Sequence, residues 1–361
     1  MIPARGEGVR STDEDGAVIL RGDRPFLGRR VLLVSEYGMA DAWRQWAAGT
    51  YPGQHLWGCL ELARLGYEIL LPEPRDHRLE AGGRSFAAAV ARLGRERLDA
   101  GDVVYCQRPI LPLTVVRGLR AAGCKAISLL HGDGRARELS EYDGLIGLTP
   151  AGHERAARAN PRALRAHIPW GVDLPFYPEA PYEPRWVLSC GKTLRDFACL
   201  AEALEALAAP AVVIAPIGTV GASMPAGAEV ISRARDDMSV SYDELRGRYY
   251  RHAAVVVIAL RPEPGERDAL GITNLLEALA LARPVVLSRV GAVAREVDVE
   301  AEEVGVFVEP GDADALGGAI GAMLAEPERA EEMGRHGRAL CERRYTMERF
   351  GSDLHAFLGR L

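Results

Sequence analysis

Short apolar runs alternate with stretches of helical spacing along most of this chain. Arg30-Val31-Leu32-Leu33-Val34-Ser35 is the first run expected to form a buried strand. A helix is expected from His55 to Leu65, closed by Gly66, followed by a strand at Tyr67-Glu68-Ile69-Leu70-Leu71 that Pro72 ends. Helical spacing over Ser85 to Arg97 leads to a strand at Asp102-Val103-Val104-Tyr105-Cys106. Leu113 to Ala122 reads as a helix, and Lys125 to Leu130 and Gly144 to Leu148 as strands. This alternation predicts a parallel sheet with helices on both faces.

Five prolines, Pro169, Pro175, Pro178, Pro181 and Pro184, then interrupt the pattern and predict a stiff, extended linker. The alternation restarts with a strand at Trp186 to Cys190, a helix from Arg195 to Leu207 and strands at Ala211 to Ala215, Ala253 to Ala259 and Pro284 to Leu287. Helices over Asp312 to Ala325, Pro327 to Tyr345 and Met347 to Leu358 close the chain. The division that follows is an extension at 1–22, a domain at 23–172, a linker at 173–184, a second domain at 185–345 and a terminal helix at 346–361. Two α/β domains facing each other would leave a cleft, and ligands bind such sheets at the ends of their strands.

Composition narrows the partners. The 361 residues fit two domains of about 100–200 residues each, and 48% hydrophobic residues suffice for two cores. A net charge of −6 gives no basic field for nucleic acid. No apolar run approaches the roughly 18–20 residues of a membrane span. Residues 1–22 lack the apolar centre of a signal peptide and read as a mobile extension, with a short strand at Ala17-Val18-Ile19-Leu20. The six cysteines form no CxxC pair, which favours buried free thiols over disulfides or zinc ligands. A soluble cytoplasmic protein, monomer or homodimer, is expected.

The most informative stretch is Gly271-Ile272-Thr273-Asn274-Leu275-Leu276-Glu277. A glycine opens a helix there, and the free amides of a helix start carry the positive end of its dipole, which suits a phosphate. Thr273 and Asn274 add side-chain donors, or cap the helix instead. Glu277, roughly a turn further in, is placed to accept hydrogen bonds from a sugar hydroxyl. A diphosphate beside a ribose describes a nucleotide-sugar.

In the first half, His131 ends a strand and precedes Gly132-Asp133-Gly134, so it is expected to point into the cleft. Asp133 is a weaker candidate for a ligand hydroxyl. Glu36 and Tyr37 follow the first strand and are candidates to touch an acceptor, as is His55, which otherwise serves as a structural residue. Arg233, Arg235, Arg246, Arg248 and Arg251 read as a solvated helix face. Asp236-Asp237 does not make a recognisable metal site, and neither GxGxxG nor GxSxG occurs where a dinucleotide fingerprint or hydrolase elbow would need it.

Several short motifs, in order along the chain, resemble those of family-4-type retaining glycosyltransferases with the two-domain GT-B fold. Pro169-Trp170-Gly171-Val172-Asp173 resembles the family's linker motif. Gly191-Lys192-Thr193-Leu194-Arg195 resembles its glycine-plus-basic loop, and Leu275-Leu276-Glu277-Ala278 its donor-binding segment. Gly305 to Asp312 resembles its last strand and turn, and Tyr51 to Gly58 its glycine-rich loop in the first domain.

The resemblance implies an α/β GT-B fold with the nucleotide-sugar on the second domain and the acceptor on the first. It implies that Lys192 and Arg195 neutralise the donor diphosphate, as the charge building on a leaving phosphate requires. It further implies that His131 contacts the donor sugar, that Gly53 and Gly191 approach the donor, and that the terminal helix packs back on the first domain. Gly271, Ile272, Thr273, Asn274, Leu275 and Glu277 complete the expected donor site.

The family carries a second glutamate eight positions before the one at Glu277, but Ala269 stands there. Asp268 is the acid closest to that place. The reaction so implied moves a sugar from a nucleoside-diphosphate-sugar, as co-substrate, to a polar small-molecule or glycan acceptor. It proceeds with retention and needs no cofactor or metal. A sugar-nucleotide epimerase of the same fold and an inert binding subunit remain as alternatives, the latter favoured by the displaced acid.

Overall fold

The apolar runs of the first half form strands β1 (Val9–Glu14), β2 (Ala17–Gly22), β3 (Arg30–Val34), β4 (Glu68–Pro72), β5 (Val103–Cys106), β6 (Lys125–Leu129), β7 (Gly144–Gly147) and β8 (Leu164–His167). Those of the second half form β9 (Trp186–Cys190), β10 (Ala211–Ile214), β11 (Ala228–Ile231), β12 (Ala253–Ile258), β13 (Val285–Ser288) and β14 (Gly305–Val308). The computed structural model describes residues 8–14, 16–73, 84–131, 136–221, 223–234, 240–262 and 269–361. The chain divides into two units. Unit 1 holds the residues up to Asp173 together with Met347–Leu361, and unit 2 holds Leu174–Thr346.

In unit 1 the sheet order is β1-β2-β4-β3-β5-β6-β7-β8. From β4 to β8 all neighbours are parallel, whereas β2 is antiparallel to β4 and to β1. Unit 2 holds a parallel sheet in the order β11-β10-β9-β12-β13-β14. Both are the doubly wound plan that alternation demands. The runs are apolar throughout because helices cover both faces: β5, β7, β10, β12 and β13 are buried at every position.

Four local features depart from the sequence expectation. The strand expected at Ala17 to Leu20 is present and buried, but it pairs with Val9–Glu14 in a hairpin that lengthens the sheet past β4, where a mobile extension was expected. Strands β8 and β11 were not foreseen, because sheet edges bury too little to need an apolar run: Leu164 to His167 are half-buried to exposed, and Glu229 and Val230 are exposed. The single helix expected from His55 is a short 3-10 turn, Gly53–Leu56, and a helix, Cys59–Arg64. Trp57 (φ 54°) and Gly58 (φ 82°) separate them in the left-handed region. A Cβ on Gly58 would come within 2.9 Å of the Phe350 ring, so glycine is required there. Finally, the segment expected to be a stiff, extended linker is packed into the fold, with Trp170, Val172, Phe176 and Tyr177 all buried.

The terminal helix, Met347–Leu358, belongs to unit 1. It buries Phe350, Leu354, Phe357 and Leu358, and packs on Cys59–Arg64. Arg29 Nη1 donates to Leu358 O at 2.6 Å, and the Tyr67 hydroxyl meets His355 Nδ1 at 2.9 Å. Its Gly351 lies directly against the side chain of Glu61. Among the described residues, no helix is long and apolar enough to cross a membrane. The close approach at Gly351 makes a prediction: Gly351→Ala overpacks the contact and destabilises unit 1 by about 1–3 kcal/mol. Urea unfolding followed by circular dichroism measures this, and an unchanged midpoint contradicts it.

Candidate functional site

In unit 1 the polar side chains gather where three adjacent parallel strands end. Glu36 follows β3, Gln107 and Arg108 follow β5, and His131 follows β6, and β3 pairs with β5 and β5 with β6. Arg108 Nη2 meets Glu36 Oε2 at 2.7 Å. The Gln107 amide Nε2 lies 2.8 Å from His131 Nδ1. An amide nitrogen only donates, so His131 accepts on Nδ1 and carries its proton on Nε2. The ring packs edge-on against Trp57 (5.1 Å) and Trp170 (5.9 Å), which stack on each other at 4.6 Å.

Desolvation, with Arg108 adding repulsion, lowers the His131 pKa to about 4. His55 packs beside the same tryptophans and is pushed down to about 3, by burial first and then by His131. Both imidazoles are therefore neutral at pH 7. Tyr37 is exposed next to Glu36. Asp133 lies outside the described residues.

Gly53 takes a different place from the one expected. Its N–H donates to Asp173 Oδ2 at 2.7 Å, so it is already spent, and on a carboxylate that would repel a phosphate. Gln54 Oε1 accepts from Asp173 N at 2.8 Å, and Gln54 O from Trp170 Nε1 at 3.3 Å. The glycine-rich loop and the Pro169–Asp173 segment thus brace one another within unit 1.

In unit 2 the loop after β9 carries Gly191, Lys192 and Arg195. Lys192 is exposed. Arg195 is only 6% exposed, and its guanidinium is held on three sides. Nε donates to Cys190 O at 3.2 Å, Nη1 to Thr193 O at 3.0 Å, and Nη2 to Asn274 Oδ1. Gly191 (φ +134°) lies under it, and a Cβ there would sit 2.5 Å from Nη2. Among the described residues no carboxylate pairs with this buried cation, and burial lowers its pKa.

Gly271 caps the helix Ile272–Ala280 from the left-handed region (φ 85°) with no side-chain cap bond. Thr273 and Asn274 therefore do not cap it. The Ile272 N–H donates to Ala269 O at 3.2 Å and the Leu275 N–H to Gly271 O at 3.1 Å, and both side chains lie in the core, so neither residue presents an N–H or a side chain to a ligand. Thr273 is half-buried, and Asn274 turns inward to Arg195, Cys190 and Tyr250. Ala269 is buried and left-handed (φ 63°), and Asp268 lies outside the described residues, as do Arg235 and Asp236-Asp237. Arg233, Arg246 and Arg248 are not simply solvated: they pair with Asp243 or Glu244.

Glu277 departs most from expectation. It is 1% exposed, and both carboxylate oxygens accept from tyrosines: Oε1 from Tyr177 at 2.8 Å and Oε2 from Tyr250 at 3.1 Å. It does not present a free oxygen at the surface for a sugar hydroxyl. Nothing in the spacing marked Tyr177 or Tyr250, which come from the proline-rich segment and from a π-helix, Leu245–Tyr250. All six cysteines are buried and unpaired, Cys190 among this cluster.

Burial pushes the Glu277 pKa up to about 7, against the lowering effect of the two tyrosine hydroxyls. Folding thus takes up a proton between about pH 4.5 and 7, and the carboxylate costs stability as pH rises through that window. The stability of Glu277→Gln relative to the native chain is expected to improve by up to about 3 kcal/mol from pH 4.5 to pH 8. Denaturant titrations at both pH values measure it, and a pH-independent difference contradicts a buried, proton-binding carboxylate.

Residues 239–326, which include Tyr250, Gly271 and Glu277, match the family described as Glycosyl transferases group 1. No curated protein matches the sequence. Similar solved structures include HepE of Anabaena in complex with UDP and glucose, with a TM-score of 0.63 at 14% identity, covering 92% of this chain and 100% of that one. Sucrose-phosphate synthase of Thermosynechococcus elongatus gives a TM-score of 0.66 at 15% identity, covering 92% and 98%. A trehalose-6-phosphate synthase studied for glycosyl transfer with retention gives 0.62 at 13%, covering 92% and 99%. Likeness at this identity establishes the GT-B fold. The group 1 match, over residues 239–326, lies across the Gly271 helix start and supports glycosyl transfer as the activity.

Proposed function

We propose that this enzyme transfers a sugar from a nucleoside-diphosphate-sugar to a polar small-molecule or glycan acceptor, with retention and without a metal ion. The observation that carries the donor assignment is Arg195. It is a buried guanidinium with no carboxylate partner among the described residues, bonded to the first turn of a glycine-opened helix. A buried cation is costly unless it is paired, and a diphosphate supplies the missing charge. Its three spent N–H groups leave one on each Nη for the ligand.

Lys192, exposed on the same loop, adds a second charge, and the amides of Thr273 and Asn274 face a dipole that favours anions. HepE, similar in fold, is seen with UDP and with UDP-glucose, which supports a uridine donor as the first to try. These groups stabilise the leaving diphosphate, so a metal is not needed for that charge.

In unit 1, His131 acts as a hydrogen-bond donor through Nε2–H and not as a base, since its other nitrogen is occupied and its pKa is lowered to about 4. It is suited to hold a sugar hydroxyl. With no protein base assigned, the leaving diphosphate takes the acceptor proton. The sugar–phosphate bond breaks as the acceptor oxygen bonds to the same carbon on the face it leaves. Glu36 and Tyr37 remain the acceptor-side candidates. The buried Ala269, in the place of the family's first acid, supports a second reading as an inert binding subunit.

The test is release of UDP or GDP from a panel of nucleotide-sugars with polar acceptors. Turnover is expected in EDTA, with Arg195→Ala lowering kcat/KM about 10²–10³-fold and Lys192→Ala lowering it less. Tight nucleotide binding without release across the panel supports the inert reading. Near-normal rates for Arg195→Ala sink the site assignment.

A further inference from the structure

One continuous set of side-chain hydrogen bonds runs through the interior of unit 2. Arg195 Nη2 donates to Asn274 Oδ1. Asn274 Nδ2 lies 3.3 Å from the Tyr250 hydroxyl and 3.2 Å from Cys190 Sγ. Tyr250 donates to Glu277 Oε2, and Tyr177 to Glu277 Oε1. Asn274 is 8% exposed and Tyr250 0%, so neither offers much surface to a ligand.

The guanidinium fixes the direction of the first bond. A guanidinium only donates, so Asn274 must turn its oxygen to Arg195 and its nitrogen to Tyr250. A Tyr250 hydroxyl that accepts from Asn274 has its own proton to give, and of its two neighbours, Cys190 Sγ at 3.3 Å and Glu277 Oε2 at 3.1 Å, an ionised carboxylate is the stronger acceptor. The carboxylate therefore orders the tyrosine, the tyrosine orders the amide, and the amide fixes the guanidinium. Two backbone carbonyls hold Nε and Nη1, and Asn274 is the side chain that fixes Nη2.

We infer that Asn274, Tyr250 and Glu277 are positioning residues that act on the anionic ligand through Arg195, and that Glu277 is the inward anchor of this chain and not a sugar ligand. This rests on the donor site proposed above. It assigns the helix's polar residues to aiming a cation, with neutral contacts that leave its charge for the ligand. A carboxylate in the place of Asn274 would hold the guanidinium equally well but cancel that charge.

The test is a double-mutant cycle on the full chain, with UDP and inorganic pyrophosphate as probes in calorimetric titrations. Asn274→Ala is expected to weaken both probes about tenfold in the native background and less than twofold in Arg195→Ala. Tyr250→Phe should follow the same pattern with a smaller effect, and Asn274→Asp should weaken binding more than Asn274→Ala does. Additive losses in the Arg195→Ala background would mean that Asn274 touches the ligand itself and overturn the inference. So would an Asn274→Ala protein that binds like the native one. If Asn274→Ala does not fold, Tyr250→Phe, which removes one oxygen, runs the same cycle: coupling to Arg195 supports the inference and additivity overturns it. Failure of the native chain to bind either probe, or an Arg195→Ala chain that binds normally, rejects the donor site instead.

Discussion

A buried guanidinium with no carboxylate partner among the described residues is the constraint around which unit 2 is arranged. Removing such a charge from water costs several kcal/mol unless its N–H groups are met. Arg195 meets the cost in part with two backbone carbonyls and one amide oxygen. Each of these leaves the net positive charge intact. The carbonyls come from Cys190 and Thr193, on either side of Gly191, so the turn of the loop after β9 is itself part of the cradle. The amide oxygen comes from the helix that follows Gly271. Loop, helix start and cation are one assembly, and the tyrosines and carboxylate behind them hold it from within.

Unit 1 solves a different problem. Its strand ends present hydrogen-bonding groups while limiting free charge: both imidazoles are kept neutral by burial, and Glu36 is matched by Arg108. The tryptophan pair makes this possible, since Trp57 and Trp170 supply the apolar wall that desolvates the rings. Trp57 reaches that position from a left-handed backbone, a conformation the following Gly58 continues. The strain of one such residue is offset by the stacking it permits.

The parallel strands were legible because burial on both faces forces an unbroken apolar run, as in Val31 to Val34 or Ala253 to Ile258. Edge strands escape that rule, which is why β8 and β11 left no such signature. The special backbone at Gly191 and Gly271 was legible too, since glycines at a strand–helix junction report backbone geometry directly. The partners of Glu277 were not. Tyr177 lies 100 positions away and Tyr250 27 positions away, so their meeting depends on how β9, β12 and the proline-rich segment pack. The resemblance likewise implied that Gly53 approaches the donor, when its N–H is claimed by Asp173, 120 positions on. A sequence pattern marks where the backbone is special; it does not say which side chain arrives to use it.

The most direct measurement is a crystal structure of the chain with UDP. The diphosphate oxygens are expected within about 3 Å of the Arg195 Nη atoms, beside the amides of Thr273 and Asn274, with Glu277 still bonded to both tyrosines. A complex in which the nucleotide lies away from Arg195, or in which Glu277 has left Tyr177 and Tyr250 to bind the ribose, would contradict that arrangement.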